Sequence, residues 1–212
     1  MVRNVIVYLF IFIVSMILSM RNISTVYIVS VAILIAILSI MLPYIHMVLQ
    51  ETNLVRLEKF LIRQRKNPAL YLFYAIANKQ DEEVRILIDR LLVKYKHPQK
   101  QALYKAIYGT YRKNITTVKN EVSLIQSVQF RYYYETYVYI EEGNLELARA
   151  TTAKVSKPWM KNSLLSEIEL QTGNRPEAIE LARQALQSSR GLQRYIVYKN
   201  YERELPEAVL GA

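Results

Sequence analysis

EGNLELA, residues 142–148, and TGNRPEA, residues 172–178, share the pattern Gly-Asn-x-x-x-Ala, with Gly143 equivalent to Gly173. The glycine can end a helix in the left-handed conformation, and the asparagine can cap the helix that follows. The alanine is small enough to let two neighbouring helices approach closely. The pattern therefore predicts a helical hairpin that occurs at least twice.

The same helical pattern can be followed backwards through the chain. The positions equivalent to Ala178 are Ala148, Val118 and Val84, which are evenly spaced except for a slightly longer interval between the first two units. Residues 79–84 and 113–118 keep a polar turn before an apolar helix, but they lack the glycine. The apolar stripe at Val122, Ile125 and either Val128 or Gln129 predicts that the helix after the turn at residues 113–118 continues through this segment. The chain therefore carries about four helix pairs, of which the two N-terminal pairs are degenerate.

Residues 67–190 resemble the tetratricopeptide (TPR) repeat family, whose units place a Gly-Asp or Gly-Asn turn between two helices and repeat alanines on the second helix. The alanines at 178, 182 and 185 fit that second helix. Proline is well tolerated at the start of a helix, so Pro68, Pro98 and Pro158 predict three further helix starts. The resemblance implies an all-α fold in which residues 67–212 form a TPR-like α-solenoid of about four helix pairs, with residues 192–205 as its capping helix.

Two uncharged apolar runs, residues 5–20 and 23–49, precede the repeats and are separated only by Arg21 and Asn22. They predict an N-terminal transmembrane helical hairpin at residues 1–50. The first run covers about 24 Å, which is short for a hydrocarbon core of about 30 Å. A cleaved signal peptide is the competing interpretation. It is disfavoured because no Ala-x-Ala-like site ends the first run and a longer apolar run follows at once.

Residues 51–66 are predicted to be a basic juxtamembrane segment. Its membrane-surface residues are Arg56, Lys59, Arg63, Arg65 and Lys66. Positive charge next to a span favours the cytoplasmic side, so both termini are expected there, with two spans in a plasma membrane. The same cluster could contact anionic headgroups or could serve only to set the topology. The absence of cysteine and the compact anchor favour a bacterial membrane.

Composition excludes several classes of chemistry. Without cysteine there can be no disulfide framework, thiol nucleophile or cysteine-ligated metal site. The two histidines, His46 and His97, have no partner at metal-ligand spacing, and the sequence contains no phosphate-binding or nucleophile-elbow motif. We therefore expect no cofactor, no metal and no enzymatic activity.

Tyrosine and positive charge concentrate in the middle of the chain. The sequence holds 17 tyrosines, and residues 52–134 carry 16 basic and 6 acidic side chains. In TPR solenoids the first helix of each unit lines a concave groove, so the resemblance implies a Tyr-rich, basic groove for a protein partner. Tyrosine suits such a surface, although it also packs between helices. The predicted partner-binding residues are Tyr104, Tyr108, Tyr111, Arg112, Arg131, Tyr133 and Tyr137.

Three functional hypotheses follow from these features. The first is a membrane-anchored scaffold or adaptor that binds a partner protein, with another membrane protein as one candidate. The second is a membrane protein that binds anionic lipid or another polyanion through residues 52–134, and a nucleic-acid partner is not expected. The third is a membrane enzyme or transporter subunit that uses His46 or a hidden polar site. The sequence leaves the oligomeric state open.

Overall fold

The protein is helical throughout the part that a computed structural model describes, residues 2–21 and 23–210. These residues form 13 α-helices and one short 3-10 helix, and none of them lies in a β-strand. The predicted all-α class is therefore confirmed. The chain divides into two compact units, Met1–Glu51 and Thr52–Ala212, so the division falls beside the predicted end of the anchor at residue 50.

The first unit contains two helices, α1 (Val2–Met20) and α2 (Thr25–Leu49), which pack against each other. Helix α2 has 25 residues, none of them buried, and it is long and apolar enough to cross a membrane by length and composition. The apolar part of α1, Ile6–Met20, is shorter than that criterion requires. One helix among the described residues is thus a span candidate, where the sequence predicted two.

The second unit contains eleven α-helices within the described residues. They are α3 (Leu54–Arg63), α4 (Pro68–Ala77), α5 (Asp81–Lys94), α6 (Pro98–Arg112), α7 (Lys119–Val122), α8 (Val128–Glu141), α9 (Leu145–Thr152), α10 (Pro158–Gln171), α11 (Arg175–Ser188), α12 (Gly191–Glu204) and α13 (Pro206–Val209). Three of them begin at Pro68, Pro98 and Pro158, which confirms the predicted helix starts. Helices that are consecutive in the chain pack together, as in α4 with α5, α8 with α9 and α10 with α11.

One backbone turn recurs four times in this unit. Lys79, Lys113, Gly143 and Gly173 all have positive φ angles, of 52°, 54°, 73° and 79°. In each turn this residue donates its amide to the carbonyl three residues earlier, and the next residue donates to the carbonyl five residues before itself. These are the two hydrogen bonds of a Schellman helix end. The turns follow one another at nearly constant spacing, and two of them form around a lysine instead of a glycine.

The segment after the turn at Lys113 corrects a sequence prediction. The prediction of one helix through Val122, Ile125 and Val128 was wrong. A 3-10 helix (Ile115–Val118) leads into α7, which ends at Val122, and α8 begins at Val128. The chain folds back closely over α6, where a Cβ atom on Gly109 would lie 2.9 Å from the Ile115 Cα. Such a tight return leaves no room for a long second helix.

The helix array of unit 2 closes on itself. Helix α12 packs against both α3 and α4, whereas in a simple solenoid each repeat contacts only its neighbours. The Asn78 side-chain amide donates to the Tyr195 hydroxyl (3.0 Å), and that hydroxyl donates to the Glu58 carboxylate (3.2 Å). The α3 helix, which falls within the predicted juxtamembrane segment 51–66, buries Leu57 and Leu61 completely in this unit.

Candidate interaction surfaces

The three predicted tyrosines of α6 pack against α4 and α5. Tyr104, Tyr108 and Tyr111 are half-buried and border the apolar cluster of those two helices. The Tyr104 ring stacks on the Tyr95 ring with 5.7 Å between centroids, and burial raises the pKa of the Tyr104 hydroxyl. The Tyr111 hydroxyl donates to the Asp81 carboxylate. Each side chain is therefore partly packed inside the unit and partly accessible to solvent.

The two predicted tyrosines of α8 are more enclosed. Tyr133 and Tyr137 lie edge to face, with ring centroids 5.1 Å apart and hydroxyl oxygens 3.4 Å apart. The Trp159 ring of α10 lies 6.0 Å from the Tyr133 ring. Burial raises the pKa of both tyrosine hydroxyls, and that of Tyr137 lies well above its usual value. Both hydroxyls therefore stay neutral.

The predicted groove residues belong to two neighbouring apolar clusters. The α6 tyrosines border one cluster, and Tyr133 and Tyr137 border a second, while Ile107 of α6 contacts both. The two predicted arginines lie at the outside of these clusters: Arg112 is exposed, and Arg131 places its guanidinium 5.9 Å from the centroid of the Tyr132 ring. Arginine over an aromatic ring remains available to an acidic partner.

Helix α3 presents a basic and apolar outer face. Arg56, Lys59 and Arg63 are exposed on this helix, and Arg65 and Lys66 are exposed just after it. Val55 and Ile62 lie among these cations with exposed fractions of 58% and 48%. Residues 55, 59 and 62 follow helical spacing, so they share one face opposite Leu57 and Leu61. This arrangement of cations around apolar side chains is typical of a helix at a membrane surface.

An arginine-lined cavity of about 400 Å³ lies elsewhere on unit 2. Arg183 of α11, Arg190 between α11 and α12, and Arg194 of α12 contribute its cationic side chains. Sequence reasoning missed this cavity. A signal was present, because no acidic residue occurs between Glu180 and Glu202, although the arginines in that interval come together only when α11 packs against α12.

A second polar region lies near the end of α10. Burial raises the pKa of the Glu167 carboxyl, and the negative charge of Glu204 adds to that effect, while Lys113 opposes it. The Lys113 ammonium lies 3.9 Å from the Glu204 carboxylate. The positive-φ turn residue Lys113 thereby brings a cation towards two carboxylates.

No group of His, Cys, Asp or Glu side chains within residues 2–21 and 23–210 is arranged to hold a metal ion. Comparisons of the chain with protein-family models, with curated protein sequences and with solved structures found no significant match.

Proposed function

We propose that the protein is a non-catalytic interaction protein anchored in a membrane, which binds a partner protein through the tyrosine-rich, basic surface of α6 and α8. In this proposal α1 and α2 form a two-span anchor in a bacterial plasma membrane, with both termini cytoplasmic. Unit 2 acts as a TPR-like helical repeat. The partner is a protein with an acidic segment, and another membrane protein is one candidate.

The observation that carries the proposal is the fourfold recurrence of one helix-ending turn, at Lys79, Lys113, Gly143 and Gly173. Repeated helix pairs of this kind present extended surfaces for binding other proteins. The exposed Arg112 and the half-buried Arg131 give this surface positive charge. Electrostatic complementarity would then favour an acidic partner.

The exposed apolar surface of the first unit supports the proposal that this unit is a membrane anchor. No residue of α2 is buried, so its isoleucines, leucines and valines would all be at least partly exposed to water outside a membrane. At about 1.5 Å per residue, α2 is roughly 37 Å long, which exceeds the hydrocarbon core. Helix α1 is shorter, and a locally thinned bilayer can accommodate it.

The experiment compares partner capture by matched charge-reversal variants of the tagged full-length protein in mild detergent. One variant is Arg112→Glu with Arg131→Glu, which avoids the enclosed Tyr133 and Tyr137. The control is Lys96→Glu with Lys161→Glu, two exposed cations outside the predicted surface. Co-purifying proteins are identified by mass spectrometry, and the main candidate is then titrated as a purified protein.

We expect the wild type and the control to bind the same partner with the same affinity. The Arg112 and Arg131 variant should bind that partner about tenfold more weakly or worse. A tenfold loss corresponds to about 1.4 kcal/mol, within the range of one or two lost charge contacts. Equal binding by all three proteins would place the interface elsewhere.

The outer face of α3 favours a second function, contact with anionic lipid. Because the chain has no cysteine, Ile62→Cys creates a single labelling site for an environment-sensitive dye. In nanodiscs that contain phosphatidylglycerol, the dye emission should shift to the blue relative to phosphatidylcholine nanodiscs, and added salt should reverse part of the shift. Val93→Cys, exposed on α5, is the control. The same emission for both lipids at Ile62 would exclude this contact.

A further inference from the structure

The guanidinium groups of the arginine-lined cavity differ from other arginines of unit 2 in their partners among the described residues. Within residues 2–21 and 23–210, neither Arg190 nor Arg194 contacts a carboxylate. Arg175 and Arg149 each pair with a glutamate, at 2.9 Å to Glu207 and 2.8 Å to Glu169. The difference marks the two cavity arginines as cations that remain available to a ligand.

Backbone carbonyls hold both guanidiniums in place. Arg194 donates from Nε to the Thr52 carbonyl (3.2 Å) and from Nη1 to the Leu186 carbonyl (2.7 Å). Arg190 donates from Nη1 to the carbonyls of Gln187 (2.6 Å) and Ser189 (2.8 Å). In each case the Nη2 group has no acceptor among the described residues. A guanidinium fixed on one side presents its remaining donors as a rigid fork, which matches the oxygens of a phosphate.

The charge around the cavity is also unbalanced. Burial lowers the pKa of Arg194, and the positive charge of Arg190 lowers it further. Arg183 adds a third cation, which is partly compensated by Glu180 at 3.7 Å and by Glu207, whose carboxyl pKa Arg183 helps to lower. Helix α12 begins at the residue after Arg190, and its first turn contains no acidic side chain, so its unpaired amides add positive potential. A bound anion would relieve the repulsion between the arginines.

The remaining lining indicates what kind of anion fits. Leu210, which is 76% exposed, supplies most of the apolar surface, because the two other apolar lining residues, Leu186 and Ala208, are each only 1% exposed. No aromatic ring lines the cavity among the described residues, so it offers no aromatic surface on which a nucleotide base could stack. Thr52, which also lines it, follows the last residue of α2 by three positions, and three residues span at most about 10 Å. A phosphate attached to an apolar tail at the membrane surface meets all three conditions.

We propose that Arg190 and Arg194, assisted by Arg183, bind the phosphate of an anionic phospholipid headgroup, while the apolar lining contacts the glycerol and upper acyl chain. This site is separate from the protein-binding surface of α6 and α8 and from the outer face of α3. It shares with the proposed function only the placement of α2 in a membrane. Lipid binding measured in detergent therefore fails or succeeds independently of partner capture.

The experiment measures the thermal stability of the full-length protein in a neutral detergent during titration with dioctanoyl phosphatidylglycerol. Parallel titrations use dioctanoyl phosphatidylcholine and inorganic phosphate. The test variant is Gln187→Glu, which places a carboxylate in the cavity and keeps every carbonyl contact of the arginines. A second variant, Arg190→Gln with Arg194→Gln, removes the charges directly. The control is Lys96→Gln with Lys161→Gln, two exposed cations outside both the cavity and α3.

We expect phosphatidylglycerol to raise the melting temperature of the wild type and of the Lys96 and Lys161 control with the same apparent affinity. Gln187→Glu should weaken that affinity about tenfold or more, which is the order expected from opposing a charge-assisted contact. The double arginine variant should do the same if it folds, as judged by circular dichroism. An unchanged affinity in Gln187→Glu would overturn the proposal. Saturation by inorganic phosphate without any lipid effect would also overturn it, in favour of a soluble phosphate site.

Discussion

Replacing Tyr195 by phenylalanine removes one hydroxyl from the contact that closes the helix array of unit 2. That hydroxyl accepts a hydrogen bond from Asn78 and donates one to Glu58, and the ring itself is 1% exposed. Burial raises the pKa of the hydroxyl, so it remains a donor at neutral pH. The phenylalanine ring fills the same space, and the substitution therefore tests the two hydrogen bonds alone.

The size of the effect follows from what each partner loses. Asn78 also donates to the Tyr74 carbonyl at 2.9 Å, so its side-chain amide keeps one acceptor. The Glu58 carboxylate loses a donor, and a hydrogen bond to a charged group contributes about 1.5–3 kcal/mol when it is buried. Because Glu58 is only half-buried, we expect Tyr195→Phe to lower the free energy of unfolding by about 1–2 kcal/mol.

The assay is denaturant unfolding of the full-length protein in detergent, followed by the fluorescence of Trp159. This is the only tryptophan in the chain, and it packs inside unit 2. Tyr198→Phe is the matched control, because Tyr198 lies on the same helix and its hydroxyl makes no hydrogen bond within the described residues. The control should stay within about 0.5 kcal/mol of wild type. If the two variants lose the same stability, the Tyr195 hydroxyl does not help to close the array.

Three further predictions use the same unfolding assay. Gly109→Ala should destabilise unit 2, because overpacking against the Ile115 backbone costs about 1–3 kcal/mol and outweighs a helix-propensity gain of about 1 kcal/mol. Gly143→Ala meets no atom within 4 Å and should lose about 1 kcal/mol through its positive φ alone, and Gly143→Asn should recover part of that loss. Glu167→Gln should stabilise the protein at pH 7. Because the pKa of the Glu167 carboxyl is raised in the folded state, this group stabilises the fold below its ordinary pKa of about 4.5, and the stabilisation is lost as pH rises through the folded-state pKa. An equal effect of Glu167→Gln at pH 4 and pH 7 would contradict this.

Several features could be read from short stretches of sequence because their causes are local. The proline at each of three helix starts has a fixed φ that suits the first turn, and α4, α6 and α10 begin there. The turns at Gly143 and Gly173 depend on glycine at a positive φ angle. The turns at Lys79 and Lys113 have the same geometry without glycine, so their regular placement along the chain was the main signal for them.

The predicted site depended less on local pattern. The sequence placed Tyr133 and Tyr137 on one helix with Arg131, but the depth of the two rings depends on α10, which brings Trp159 against them. Likewise, the long second helix predicted after α6 does not form, because the chain folds back closely over Gly109. The spacing of apolar residues could not predict that the chain folds back over Gly109. Such spacing indicates which residues are buried, but it does not indicate which helix covers them.

The sequence by itself determined the helical class, the apolar N-terminal runs, the positions of the turns and the distribution of charge, since each depends on residues within a few turns of one another. Only the tertiary structure decided that α12 meets α3 and α4, and that Arg183, Arg190 and Arg194 surround one cavity. Tyr195 and Glu58 are 137 residues apart in the chain. Contacts at such separations depend on how all the intervening helices pack, and a local sequence pattern does not specify the combined packing of many helices.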